Sequence, residues 1–146
     1  MNDTPEVSVV MSVYNGATDL RTSVDSILSQ EGVNLELIVV NDGSTDNSAN
    51  ILQEYAGSDE RVRVISQQNQ GLTRALVVGC AAARGEYIAR QDAGDISLPG
   101  RLIKQLNTIS ENPDSAFVLC GRDLSGQSAS ICTMLVETPP TQRLIC

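Results

Sequence analysis

"LELIVVNDGSTDNS", Leu35 to Ser48, is the stretch whose reading decides the fold. Leu35 to Val40 is short, β-branched and nearly continuous in its apolar character, as strands covered on both faces tend to be. It ends at Asn41, Asp42 and Gly43, after which Ser44, Thr45 and Asp46 supply turn and helix-starting chemistry. The same unit recurs in both directions. Val7 to Val13 ("VSVVMSV") is a second strand of this kind, Val62 to Ile65 and Tyr87 to Ala89 are weaker ones, and Ala116 to Cys120 is one more. Between them the period changes. Leu20, Val24, Ile27 and Leu28 fall at i, i+4, i+7 and i+8, and Leu72, Ala75, Leu76 and Gly79 at i, i+3, i+4 and i+7, each set forming one apolar helix face. Ile51, Leu52 and Tyr55 make a shorter face, and Leu102, Leu106 and Ile109 another. Steady alternation of strand and helix calls for right-handed crossovers. The expected fold is therefore α/β, an open, mostly parallel twisted sheet with helices on both faces, Rossmann-like in layout.

The pattern weakens from about Gly121. The reading is of a single domain over residues 1–146, with its core at about 6–120 and a less regular tail at 121–146 that has room for one or two strands of a hairpin. Composition then excludes several functions. With 18 acidic against 10 basic residues and a net charge of -8, the surface is not built to neutralise nucleic-acid phosphates. The absence of histidine removes Ser-His-Asp and Cys-His catalysis and imidazole metal sites. Cys80, Cys120, Cys132 and Cys146 form no CxxC pair, and no signal peptide is evident, so free thiols in a reducing compartment are expected. That places the chain in the cytoplasm, its membrane face included. The smooth apolar run from Ala75 to Ala83 falls short of the roughly 20 residues of a membrane span, so no transmembrane segment is expected.

In open α/β sheets ligands bind beyond the carboxyl ends of the strands. Tyr14, Asn15 and Gly16 follow the first strand, and Asn41 to Asp46 follow the second. A carboxylate there suits ribose hydroxyls or a base N–H, and an aromatic ring offers a stacking face, so Tyr14 and Asp42 suggest a nucleoside pocket. The same residues also read as an ordinary turn with Thr45 or Asp46 at a helix start. "NQGLTRAL", Asn69 to Leu76, opens a helix in which Gly71 frees the backbone and Arg74 suits a solvated face. Neither GxxxxGK[ST] nor GxGxxG occurs, so a glycine-rich phosphate loop has no support.

"RQDAGDISLPGRL", Arg90 to Leu102, carries the remaining candidates. If Asp92-Ala93-Gly94-Asp95 forms a β-turn, its end Cα atoms lie within about 7 Å, and Gly at the third place suits type II. Two unpaired charges about 4 Å apart would repel by roughly 4 kcal/mol at an effective dielectric of 20, so either a divalent cation joins them or solvent separates them. The alternative is a polar turn with Asp95 near a helix start and Pro99 inside the first helical turn.

"VSVVMSVYNG", "LIVVNDGSTDNS", "NQGLTRAL" and "GEYIARQDAGDISLPGRL", in this order over residues 6 to 103, resemble glycosyltransferase family 2, nucleotide-sugar enzymes of polysaccharide biosynthesis with the GT-A fold. The resemblance implies that Tyr14 lies against the nucleobase, that Asp42 contacts base or ribose, and that Asp92 is the first aspartate of the family's DxD motif, touching ribose and organising a Mg²⁺ or Mn²⁺ site. The usual metal ligand, the second aspartate, is here Gly94. Asp95 then takes its place, giving Asp92 and Asp95 as the expected metal ligands. Val77 stands where many relatives carry asparagine. The implied function is inverting transfer from a nucleotide-sugar donor, a UDP-sugar first, to the hydroxyl of a carbohydrate or lipid-linked acceptor. The alternative is a non-catalytic nucleotide-binding or assembly module of the same fold. The acceptor-binding half, with its general base, is expected to be missing, and none of Glu111, Asp114, Asp123 and Glu137 is assigned that role.

Overall fold

The computed structural model describes residues 4–115 and the backbone of three strands at 117–120, 131–134 and 143–145. Its elements are β1 (Val7–Val13), α1 (Leu20–Leu28), β2 (Leu35–Asp42), α2 (Ser48–Ser58), β3 (Val62–Gln67), α3 (Leu72–Ala82), β4 (Tyr87–Asp92), α4 (Arg101–Glu111), β5 (Phe117–Cys120), β6 (Ile131–Met134) and β7 (Arg143–Ile145). They form one sheet in the order β3-β2-β1-β4-β7-β5-β6. All neighbours are parallel except β5 and β6, which run antiparallel. The expected α/β architecture is what forms, with the first three strands placed outward in reverse order and the fourth inserted beside β1.

The two faces of the sheet are packed differently. Val7, Val9, Met11 and Val13 of β1 join Leu35, Leu37 and Val39 of β2 in a core with Leu20, Val24 and Ile27 of α1, Ile51 and Leu52 of α2, and Leu102, Leu106 and Ile109 of α4. Each such side chain contributes roughly 1.5–3 kcal/mol on burial. The alternate residues face α3. A Cβ on Gly79 would come within 2.4 Å of Val10 Cγ1 and 3.3 Å of Val40 Cγ2, so helix and sheet meet at this distance only because the periodic position holds glycine.

Four boundaries differ from the sequence reading. β2, β3 and β4 run on to Asp42, Gln67 and Asp92, because main-chain pairing continues past the apolar run: Val13 pairs with Asn41, Asp42 with Gln67, and Ser12 with Asp92. Strand pairing needs backbone groups, not apolar side chains. Pro99 precedes α4 rather than lying inside its first turn, since Gly100 takes the cap position with φ 75°. The tail supplies a hairpin strand, β6, and also β7, which enters between β4 and β5.

At the amino end of the sheet a carboxylate sits inside the fold. Glu36 is 2% exposed and opposite Ser8 in register. It accepts hydrogen bonds from Ser8 Oγ (2.7 Å), Arg84 N (2.9 Å), Arg63 Nη1 (3.0 Å) and Arg84 Nε (3.0 Å). Burial pushes its pKa up, but these donors outweigh burial and hold it below the usual carboxylate range.

Candidate functional site

β1, β2 and β4 are parallel neighbours, so their carboxyl ends form one rim carrying Tyr14, Asp42 and Asp92. Tyr14, one residue past β1, is 54% exposed. Ser12 pairs with both Val40 and Asp92, and strand side chains alternate in direction, so Asp42 and Asp92 project on the α3 side of the pleat.

Asp42 is buried, and its carboxylate is already engaged. Oδ1 accepts from Gln67 Nε2 at 2.7 Å and Gln70 N at 2.9 Å, and Oδ2 accepts from Gly71 N at 2.9 Å. Counting two acceptor directions per oxygen leaves one on Oδ2 for a ligand. The Gln67 amide, followed by the backbone N–H groups of Gln70 and Gly71, holds its pKa below the ordinary value. Asp42 thus anchors the loop entering α3, while the sequence reading considered capping only for the helix after β2. The backbones approach closely here: Gly43 has φ 74°, and a Cβ on it would lie 2.8 Å from Asn69 N.

The loops after β1 and β2 are laced together by Asn15, Ser44, Thr45 and Asp46, of which the sequence reading gave a role only to Thr45 or Asp46, at the start of the following helix. Asn15 adopts φ 52°. Its N–H donates to Ser44 Oγ at 3.0 Å, and its Oδ1 accepts from Thr45 N at 2.8 Å. Asp46 Oδ2 accepts from Ala17 N at 3.0 Å and Oδ1 from Ser48 N at 2.9 Å, so it serves the start of α2 although Asn47 occupies the cap position. Ser48 and Ala17, in that order, depress its pKa. The signal for Asn15 was available: asparagine tolerates φ > 0 better than most residues.

The turn Asp92-Ala93-Gly94-Asp95 forms, with Asp95 N donating to Asp92 O at 3.1 Å and Gly94 at φ 102°. It is braced from behind. Gly94 N donates to Ser23 Oγ of α1 at 2.8 Å, and Ser97 N to Ser26 Oγ at 3.0 Å. Gln91 Nε2 donates to Asp95 O at 2.7 Å, while Gln91 Oε1 accepts from Ser97 Oγ at 2.8 Å and Arg101 Nη1 at 2.7 Å. Arg101 Nη2 donates to Arg90 O at 2.8 Å. Asp92 itself stands half in water, paired through both oxygens with Arg90: Nε to Oδ1 at 2.9 Å and Nη2 to Oδ2 at 3.0 Å. Arg90 was quoted in the motif but given no role, and only its i,i+2 spacing along a strand hinted at this pair.

Among the described residues no group of three or more His, Cys, Asp or Glu side chains converges into a metal cage. What exists is a closed turn with carboxylates at its two ends and glycine at its third place. Carboxylate oxygens are the donor type that a hard cation of the Mg²⁺ kind takes alongside waters. Val77 is 60% exposed, so its apolar side chain fills no core. Cys80 is a free, half-buried thiol; the side chains of the other three cysteines, like Asp123 and Glu137, lie outside the described residues. No helix of the described residues is long and apolar enough to cross a membrane.

The parallel sheet β3-β2-β1-β4 with helices on both faces is an α/β fold that this chain shares with GT-A fold glycosyltransferases of known structure. Staphylococcus aureus TarS (residues 1–349) superposes with a TM-score of 0.74 at 22% identity, over 84% of this chain and 37% of that one. The Pyrobaculum calidifontis mannosyltransferase PcManGT, solved with GDP-Man and Mn²⁺, does so with 0.74 at 22%, over 82% and 36%. The family described as "Glycosyl transferase family 2" matches residues 8–132. EpsH of Bacillus subtilis (strain 168) is 43% identical over 118 residues, covering 81% of this chain and 34% of EpsH. The uncharacterized glycosyltransferase YibD of Escherichia coli (strain K12) is 37% identical over 123 residues, 84% of this chain and 36% of YibD. The chain belongs to glycosyltransferase family 2. It spans about a third of the length of these curated relatives.

Proposed function

We propose that this chain is the donor-binding portion of an inverting glycosyltransferase, taking a nucleoside diphosphate sugar at the carboxyl rim. The observation that carries the reading is the common rim of β1, β2 and β4, which gathers Tyr14, Asp42 and Asp92 at one sheet edge. Tyr14 offers its ring to the nucleobase. The remaining acceptor direction on Asp42 Oδ2 takes a base N–H or ribose hydroxyl, and Asp92 faces the ribose and diphosphate. Support for a sugar nucleotide comes also from fold neighbours, one solved with GDP-Man and Mn²⁺ and another with UDP-GlcNAc.

In an inverting transfer the acceptor oxygen forms a bond to the anomeric carbon as the bond to the diphosphate oxygen breaks, and the hydroxyl proton passes to a base. Asp92 and Asp95 would hold a Mg²⁺ or Mn²⁺ ion, which when bound would neutralise charge on the departing diphosphate. The chain's own task is to fix the donor: bonds from Ser23, Gln91 and Arg101 hold in place the backbone that carries the two carboxylates. No described residue is assigned as the base.

Calorimetry with UDP and with GDP, each with and without Mn²⁺, tests the reading. Binding that tightens with Mn²⁺ and weakens in Tyr14→Ala and Asp95→Ala is expected. Metal-independent nucleotide binding would favour a non-catalytic module, a reading that the glycine at position 94 supports. No affinity for either nucleotide would overturn both.

A further inference from the structure

Arg90 is a half-exposed cation at the rim, and both its bonds fall on the carboxylate expected to serve the metal. Arg63 and Arg84 are held at the opposite end of the sheet by Glu36, and the Arg101 guanidinium is engaged by Gln91, Ser97 and the Arg90 carbonyl. We propose that Arg90 is an exchangeable counterion, which pairs with Asp92 and turns to the donor's diphosphate when a divalent cation takes Asp92, so that cation and nucleotide bind cooperatively.

The inference rests on the donor-binding reading and follows from charge and geometry. Each oxygen of Asp92 accepts one bond from Arg90 and keeps one acceptor direction, so a divalent cation can reach this carboxylate, but it would then stand close to the guanidinium, and the repulsion between the two cations favours turning Arg90 away. With glycine at position 94 the turn offers the cation only the Asp92 and Asp95 carboxylates, and the cation alone binds weakly. A diphosphate brings what both partners lack. Its oxygens complete the cation's shell, and its charge receives the released guanidinium, whose planar fork matches phosphate. Arg90 and Asp92 are two residues apart on β4 and share the α3 side of the pleat with Asp42, so the exchange needs a side-chain rotation and no movement of the strand.

The test uses the chain and its Arg90→Ala and Arg90→Lys variants, with Mn²⁺ binding read from the electron paramagnetic resonance of free Mn²⁺ and UDP or GDP binding from calorimetry. In the parent chain, nucleotide should tighten Mn²⁺ binding, and Mn²⁺ tighten nucleotide binding, by the same factor, in the usual range of about 5- to 150-fold. Arg90→Ala should bind Mn²⁺ alone about 2- to 5-fold more tightly, because an exposed ion pair is no longer there to break. It should bind nucleotide in the presence of Mn²⁺ roughly 10-fold more weakly and so show a smaller coupling factor. Arg90→Lys, which keeps the charge and loses the fork, should fall between the two, with an unchanged far-UV circular dichroism spectrum and melting temperature. Mn²⁺ affinity and coupling that stay at parent values in Arg90→Ala, while the parent binds nucleotide, overturn this inference and leave the donor reading intact. A parent chain that binds neither nucleotide under any metal condition overturns both.

Discussion

Gly94 stands at the centre of the acidic turn, and its replacement separates backbone strain from charge. A Cβ built there meets nothing within 4 Å, so Gly94→Ala introduces no clash and its cost comes from φ alone. At φ 102° an L-residue pays about 1–2 kcal/mol, and part of this is offset by the lower chain entropy of alanine in the unfolded state. A loss of about 1 kcal/mol is expected, a melting shift of roughly 2–4 °C for a chain of this size. Gly94→Asp adds to this strain a third carboxylate beside Asp92 and Asp95, worth up to about 1 kcal/mol of repulsion per neighbour at 4 Å in water. Without metal, then, Gly94→Asp should be the less stable of the two. With Mn²⁺ the order should reverse: a ligand at ten times its Kd stabilises by about 1.4 kcal/mol, and at one hundred times by about 2.7 kcal/mol. Urea unfolding of the parent, Ala and Asp chains at matched ionic strength, with and without Mn²⁺, measures all four terms. Equal stability of the Ala and Asp variants in both conditions would refute the claim that this turn presents its side chains to a common cation.

Other perturbations follow from the same coordinates. Gly79→Ala drives a methyl group into Val10 and should destabilise by about 1–3 kcal/mol in urea unfolding, with strand content retained at low denaturant. Glu36→Gln replaces the oxygen that accepts from Arg63 and Arg84 with a donor; those guanidinium groups are partly solvated, so the loss should be about 2 kcal/mol, with nucleotide affinity unchanged because the site lies at the other end of the sheet. Asp42, Asp46, Asp59 and Glu36 all have pKa values below the ordinary range, so the unfolded chain binds more protons than the folded one in acid. Stability should be fully present above about pH 5, fall as pH drops through the unfolded values near 4, and be lost as it passes the lower folded values; thermal melts from pH 2 to 8 check this. Burial, together with the bond to Asp25, raises the Tyr55 pKa to about 12, so its contribution is complete below pH 10 and disappears as pH rises through the folded value, a transition that tyrosinate absorbance at alkaline pH follows.

The layers of this fold were legible because the apolar pattern has two clean periods. Val7 to Val13 and Leu35 to Val40 read as strands buried on both faces, and the structure buries them so, with α3 on one side and α1, α2 and α4 on the other. Strand ends were less legible. Asn41, Asp42, Gln91 and Asp92 are polar, and a reading based on apolar runs stops before them, although the backbone ladder continues. The β-turn was legible from one glycine, because its third position demands φ > 0. Its bracing was not: Ser23, Ser26 and Gln30 look like ordinary helix residues until the chain brings the loop before α4 across them, 67 to 72 residues later. Glu36 was hidden for a related reason. An acid inside "LELIVV" is a defect by composition, and only the arrival of Arg63 and Arg84 makes it a satisfied group.

The three carboxylates of the sheet differ in how readily they can respond to a ligand, and that difference comes from solvent. Glu36 is buried among fixed donors; removing one would strand a charge away from water, which costs several kcal/mol, so no ligand of ordinary affinity would displace it. Asp42 is also buried, but with one acceptor direction open, so it can add a partner without releasing any it has. Asp92 lies half in water, where an ion pair is worth about 1 kcal/mol or less, and its partner Arg90 is equally wet. A group that must exchange one cation for another during binding has to be held at about that strength. Under the proposed exchange, stronger pairing would exclude the metal, and no pairing would leave the Asp92 carboxylate without its counterion on a protein whose net charge is already -8. The position of Asp92 on the last residue of a paired strand would serve the proposed exchange twice: the backbone ladder fixes where the carboxylate is, while the solvent at the rim keeps its bonds replaceable.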